Sequence, residues 1–192
     1  MAGSLAYTAV LDACVLYPAP VRDLMLSLSV AGLFRARWAE DIHNEWIRNL
    51  LKQRNDLQPE ALQRTRQMMD QSVPDCLITG YASFIESLEL PAPNDRHVLA
   101  AAIVGHADSI VTFNRKDFPN EVAHNHGIEI LHPDDFLTSQ YDLDPVQTLT
   151  TVKEVRSRLK RPPLSASEHL DKLEATGLPQ TCQKLREAIE LI

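Results

Sequence analysis

Four acidic residues, Asp12, Glu45, Asp95 and Asp117, each stand where an apolar element begins, ends or shows one face. Asp12 closes the run Thr8-Ala9-Val10-Leu11, and Asp117 follows the β-branched run Ile110-Val111-Thr112-Phe113. Asp95 opens an Ala-rich helical stretch, and Glu45 lies beside the Ile42, Trp46, Leu50 stripe of another. Carboxylates crowded together repel unless a cation neutralises them. Oxygen-only clusters select hard divalent ions such as Mg²⁺ or Mn²⁺. If the four meet, the chemistry they offer is metal-assisted hydrolysis of a phosphodiester. Each also has an ordinary structural use. Asp12 and Asp117 suit turn caps, Asp95 suits a helix N-cap, and Glu45 suits a solvated partner of Arg48. The weight therefore rests on the set and on the elements that position it.

Those elements alternate. Residues 7–13 read as a buried strand, and Phe34 to Trp38, Cys76 to Thr79, Ser109 to Phe113 and Ile128 to Leu131 as further ones. Between them, helical spacing appears after Pro20, from Glu40, from Pro59 to Gln71, over Ala82 to Leu88, and over Val98 to Val104, with another helix following Pro133. Strands alternating with helices predict an α/β fold with a parallel sheet covered on both faces. Ligands of such sheets bind at the carboxyl ends of the strands. That is the edge reached by Asp12 and Asp117, and by Asp95 if its helix returns across it. From about residue 145 the pattern is helical only. A helix over Val146 to Leu159 precedes a hairpin, Ala166 to Ala175 and Gln180 to Ile189, turning at Gly177-Leu178-Pro179. The hairpin reads as a packing element that covers a partner chain, not as a helix-turn-helix.

The bulk numbers set bounds. The 192 residues suit one compact domain with a small appendage. The net charge of −7 is unusual for a protein that binds a polyanion, but it is unevenly spread. Residues 1–144 hold 11 Lys/Arg against 20 Asp/Glu, and residues 145–192 hold 8 against 6. Lys153, Arg156, Arg158, Lys160 and Arg161 form a basic cluster, either a solvated helix face or a phosphate-contacting arm. Three scattered cysteines, Cys14, Cys76 and Cys182, suggest no disulfide framework and fit a cytoplasmic setting. No run is apolar enough to span a membrane, and Leu5 to Tyr17 reads as a core strand, not a signal peptide. His124, His126 and His132 lack the partners of a zinc site. A dehalogenase-type phosphatase would need a second Asp where Cys14 stands, and a receiver domain would need an acidic pair at the first strand.

Four passages together resemble the PIN-domain family, and within it ribonuclease toxins of the VapC type. They are Val10 to Leu16, the helix bearing Glu45, Asn94 to Ala102, and Ile110 to Pro119. The resemblance covers roughly residues 5–140 as a PIN nuclease domain and leaves 145–192 as a helical C-terminal extension. It implies a Rossmann-like α/β/α fold with a parallel central sheet and a Mg²⁺- or Mn²⁺-dependent endoribonuclease. It also implies a small antitoxin partner, contact with DNA only through that partner, a homodimer, and no membrane association. Residue by residue, Asp12, Glu45 and Asp95 match the family's core acids. Asn114 stands where some members have Asp, so Asp117 is taken as the fourth acid and Asn114 as a supporting group. Thr112, Arg115, Lys116 and His97 complete the expected surroundings, with Arg115 and Lys116 as phosphate grips. The alternative is a catalytically silent PIN-fold module that binds RNA or protein.

Overall fold

A computed structural model describes residues 7–192. Residues 5 and 6, where the expected nuclease unit begins, lie outside the described residues. The strands are β1 (Thr8–Leu11), β2 (Arg35–Ala39), β3 (Leu77–Ile78), β4 (Ser109–Val111) and β5 (Glu129–Leu131). The helices are α1 (Ala13–Leu16), α2 (Ala19–Val30), α3 (Glu40–Gln53), α4 (Pro59–Ser72), α5 (Ala82–Ile85) and α6 (Arg96–Val104). They continue with α7 (Asn120–His124), α8 (Pro133–Leu143), α9 (Pro145–Arg158), α10 (Ala166–Glu174) and α11 (Pro179–Glu187).

All strand pairs are parallel, in the order β3-β2-β1-β4-β5. The order reverses between β1 and β4, and in an open parallel sheet that crevice is where ligands bind. Both central strands are fully buried, as continuous apolar runs should be when helices cover the sheet. The Ala100-Ala101-Ala102 stretch explains how α6 packs against β1, β2 and β4: small side chains let the helix approach closely. The strand expected over 7–13 is shorter. Asp12 turns the chain instead, its Oδ1 accepting from the Ala13 amide at 2.6 Å to start α1. The strand expected over Cys76 to Thr79 contracts to two residues at the sheet edge.

Helix α3 buries Ile42, His43, Trp46 and Ile47, so its apolar face is turned by one position from the Ile42, Trp46, Leu50 stripe. The cause is a buried polar network. Trp46 Nε1 donates to His43 Nδ1 at 3.0 Å, which leaves the proton of the neutral imidazole on Nε2, 2.9 Å from Asp70 Oδ1. Trp38 Nε1 donates to the same Asp70 oxygen at 2.8 Å. Burial lowers the pKa of His43 despite Asp70 beside it, consistent with a neutral ring. The network ties β2, α3 and α4 together and fixes the rotation at which α3 presents Glu45.

The helical C-terminal part packs its apolar face onto its own chain. Leu170, Leu173, Leu178, Cys182 and Leu185 are buried within the molecule. Asp134, buried on α8, accepts from the Gln180 amide at 2.9 Å and from the Thr181 amide at 2.8 Å, as well as from Thr181 Oγ1 at 2.7 Å. A carboxylate at the N-terminus of α11 satisfies amides that have no partner inside the helix. Among the described residues no helix is long and apolar enough to cross a membrane.

Asp134→Ala strands these buried donors and should cost roughly 2–4 kcal/mol, from charge-assisted hydrogen bonds lost without replacement. Urea unfolding followed by circular dichroism reads the change.

Candidate active site

The register Leu11↔Val111 places the ends of β1 and β4 side by side, so the residues that follow them face each other. Thr112, fully buried, donates from Oγ1 to Asp12 Oδ2 at 2.7 Å. Cys14 Sγ donates to the same oxygen at 3.0 Å and accepts from the Phe113 amide at 3.3 Å. Burial first, and then the charge of Asp12, push the Cys14 thiol far above its ordinary range. It is a neutral donor that orients Asp12, not a nucleophile. Asp12 thus has both oxygens directed by donors and retains lone pairs for a further partner.

Glu45 and Asp95 both lie close enough to Asp12 to feel its charge, and Asp117 lies near Asp95. Glu45 is half-buried, and its pKa is raised, chiefly by burial and then by the charge of Asp12, with Asp95 adding to it. The pKa of Asp95 is pushed up to about 6 by burial, then by Asp12 and Asp117. Glu45 and Asp95 therefore feel Asp12 and each other, and Asp117 acts on Asp95. Asp95 occupies the N-cap position of α6, yet its side chain makes no capping hydrogen bond, which leaves the carboxylate free for the cleft. Glu45 does not pair with Arg48. His97 stands beside it instead, its Nε2 3.5 Å from Glu45 Oε2. The Asn94 carbonyl can only accept, so His97 Nδ1, at 2.7 Å, carries a proton. Nε2 is within Coulombic reach of Glu45 but outside hydrogen-bond geometry.

Two adjoining clefts share Glu45. One, of about 860 Å³, is bordered by Glu45, Asp95 and His97 with Arg48, Asn49 and Lys52. The other, of about 310 Å³, is bordered by Cys14, Glu45 and Asn114. Arg48, Asn49 and Lys52 follow Glu45 at three, four and seven positions, one face of α3. Their spacing is legible in the sequence as one helical face, but not that this face turns toward the acids. Arg115 and Lys116, expected to grip phosphate, border a different depression with Phe118 and Ile130, and Arg115 reaches Asp135 at 3.4 Å. Three residues of short helix, Arg115–Asp117, turn these side chains outward while Asp117 faces inward toward Asp95.

Among the described residues no group of three or more His, Cys, Asp or Glu side chains is arranged so that it could hold a metal ion as it stands. What suits a divalent ion here is the donor chemistry. Every donor is a carboxylate oxygen, and the charges facing one another are those a hard cation would offset.

A family model described as the VapC50 C-terminal domain matches residues 133–187, starting at the first residue of α8. The chain is 37% identical over 118 residues to a protein of Mycobacterium tuberculosis (strain ATCC 25618 / H37Rv) named "Putative ribonuclease VapC50", covering 60% of this chain and 69% of that relative. No solved structure matches the chain.

If the acids repel as their geometry demands, Asp95→Asn stabilises the metal-free protein. With chelator present at neutral pH, differential scanning fluorimetry should show Tm higher by roughly 2–4 °C, the shift that about 1 kcal/mol of solvent-screened repulsion produces at this chain length. A fall in Tm would mean that Asp95 is held by favourable contacts instead.

Proposed function

The chain belongs to the VapC-type ribonuclease family, and from that membership and its acid cluster we propose a divalent-metal-dependent endoribonuclease that acts as the toxin of a toxin–antitoxin pair. The observation that carries the reading is the electrostatic coupling of Glu45 to Asp12 and Asp95, and of Asp95 to Asp12 and Asp117, beside the point where the strand order reverses. Hydrogen bonds satisfy Asp12, and His97 and Arg48 only partly offset the charge at Glu45, whose pKa stays raised.

Asp12, Glu45, Asp95 and Asp117 would hold Mg²⁺ or Mn²⁺. Such an ion, when bound, supplies Lewis-acid stabilisation of charge developing on a phosphoryl group. The chain's own residues do the rest. Thr112 and Cys14 hold Asp12 in one orientation, and His97 holds Glu45 on the cleft side of α3. Arg48 and Lys52, both on that wall, attract the phosphodiester and offset the acids, since a polyanion approaches an acidic cleft only where cations precede it. Asn114 and Asn49 offer neutral hydrogen-bonding groups beside the same opening. We assign cleavage to the unit spanning 5–140, with the helices of 145–192 bracing it from behind. An antitoxin partner, DNA contact through that partner, a homodimer and a cytoplasmic setting belong to the same reading.

The test is cleavage of cellular RNA by the purified protein with Mn²⁺ or Mg²⁺, against chelator and against Asp12→Asn and Asp95→Asn. Cleavage should require metal and fall by about two orders of magnitude or more in either variant, as loss of electrostatic stabilisation at a reacting centre does. A protein that still binds RNA yet cleaves with neither metal would instead be the silent binding module.

Arg48→Ala with Lys52→Ala should raise KM about tenfold while leaving kcat within a few-fold, the signature of lost uniform binding. Steady-state kinetics on a short oligoribonucleotide separates the two constants.

A further inference from the structure

The acid cleft leaves the basic segment unexplained, and the structure divides that segment in two. Lys153 Nζ donates to the Leu191 carbonyl at 3.4 Å, and Arg156 Nη1 to the Leu164 carbonyl at 3.0 Å, so these two bind their own chain. Arg158, Lys160 and Arg161 instead border a separate pocket of about 530 Å³ between α2, α4, α9 and α10, joined there by Arg22 and Lys172. One carboxylate, Asp23, faces these five cations, and it lies 3.9 Å from Arg158. Among the described residues Lys160 and Arg161 form no ion pair within the chain, while Lys172 also acts on Glu168, whose pKa it helps to lower.

Two further features turn a charged surface into a shaped site. His169 borders the pocket at 3% exposure, and its buried Nε2 has no hydrogen-bond partner. A polar atom removed from water and left unpaired is costly, and a ligand atom can satisfy it. Burial, with Arg156 next, lowers the pKa of His169, so the ring serves as a neutral hydrogen-bonding group. The remaining wall is apolar, including Leu26, Met69 and Val155. A pocket of this volume with apolar walls and a few convergent polar groups suits a small molecule. Inorganic phosphate would use only the cations, and a sugar phosphate would leave the apolar wall without a partner. A heteroaromatic base covers that wall and presents ring nitrogens to a neutral imidazole.

We infer that this pocket binds a phosphorylated nucleoside, with Lys160, Arg161 and Lys172 on the phosphate and His169 on the base. Free nucleotides and the 5′-phosphorylated end of an RNA strand present this same chemistry. The site stands apart from the acid cleft but touches its supports. Arg22 donates to the Leu16 carbonyl at 2.7 Å, and its guanidinium lies 5.0 Å from the Trp46 ring, next in sequence to Glu45.

Isothermal titration of the full chain tests this, with chelator present so that cleavage does not contribute. The probes are the four ribonucleoside 5′-monophosphates, inorganic phosphate, and a short oligoribonucleotide with and without a 5′-phosphate. At least one nucleotide probe should bind saturably at one site, about tenfold or more tighter than inorganic phosphate. The exposed double variant Lys160→Ala, Arg161→Ala should weaken it about tenfold or more, while Arg48→Ala with Lys52→Ala leaves it unchanged. Tight monophosphate binding identifies the free nucleotide as ligand. Binding of only the 5′-phosphorylated oligonucleotide identifies the RNA end. The proposal is overturned by no saturable binding of any nucleotide probe, by phosphate binding as tightly as the nucleotides, or by equal affinity in the Lys160, Arg161 variant.

Discussion

Like charges held together against their repulsion are the constraint on which the rest of this structure depends. Acidic residues gather at the edge of a parallel sheet, where burial and neighbouring carboxylates raise the pKa of Glu45 and Asp95. Nothing in their local chemistry favours the meeting. It is enforced by the pairing of β1 with β4, by the approach of α6 over both strands, and by the fixed rotation of α3. An arrangement that costs stability and persists only because its surroundings hold it is what a charge-neutralising ligand site requires.

The surroundings do this with buried polar groups as much as with apolar packing. Asp70 gathers Trp38, His43 and, through His43, Trp46, which locks α3 to β2 and α4. On the far side, Asp134 docks α11 onto α8. The turn of the C-terminal hairpin at Gly177, with φ of +96°, comes against Phe113, where an added Cβ would lie 3.2 Å from the ring. Phe113 in turn stacks edge-on against His132. The C-terminal helices therefore hold the segment between Thr112 and Asn114 from behind. A family model that begins at Pro133 is consistent with α8 and the hairpin forming one packed unit.

The charge distribution follows the same division. The acids concentrate at the sheet edge, and the surplus of cations in residues 145–192 is turned toward a different pocket. Net charge alone misjudges such a molecule, because a polyanion responds to local fields and not to the sum. Arg48 and Lys52 are the local cations at the acid cleft, and they sit on the same helix as Glu45.

Much was determined by the sequence alone. The alternation of apolar runs and helical spacing dictated a parallel α/β sheet, because each strand-like segment is too short and too apolar to be anything but a covered strand. The same pattern put Asp12 at the end of the first strand and Asp117 in the segment after the fourth. Only the tertiary structure decided which cations face the acids: Arg48 and Lys52 turn inward, and Arg115 and Lys116 turn out around a three-residue helix. It alone decided that Asp95 withholds its side chain from capping and that Cys14 orients Asp12. It also decided that the C-terminal hairpin spends its apolar face on its own chain. The physical reason is range. Periodicity and strand endings are set by neighbours along the chain, whereas the direction of a side chain at an element's end is set by contacts a hundred residues away, such as that of Thr112 with Asp12.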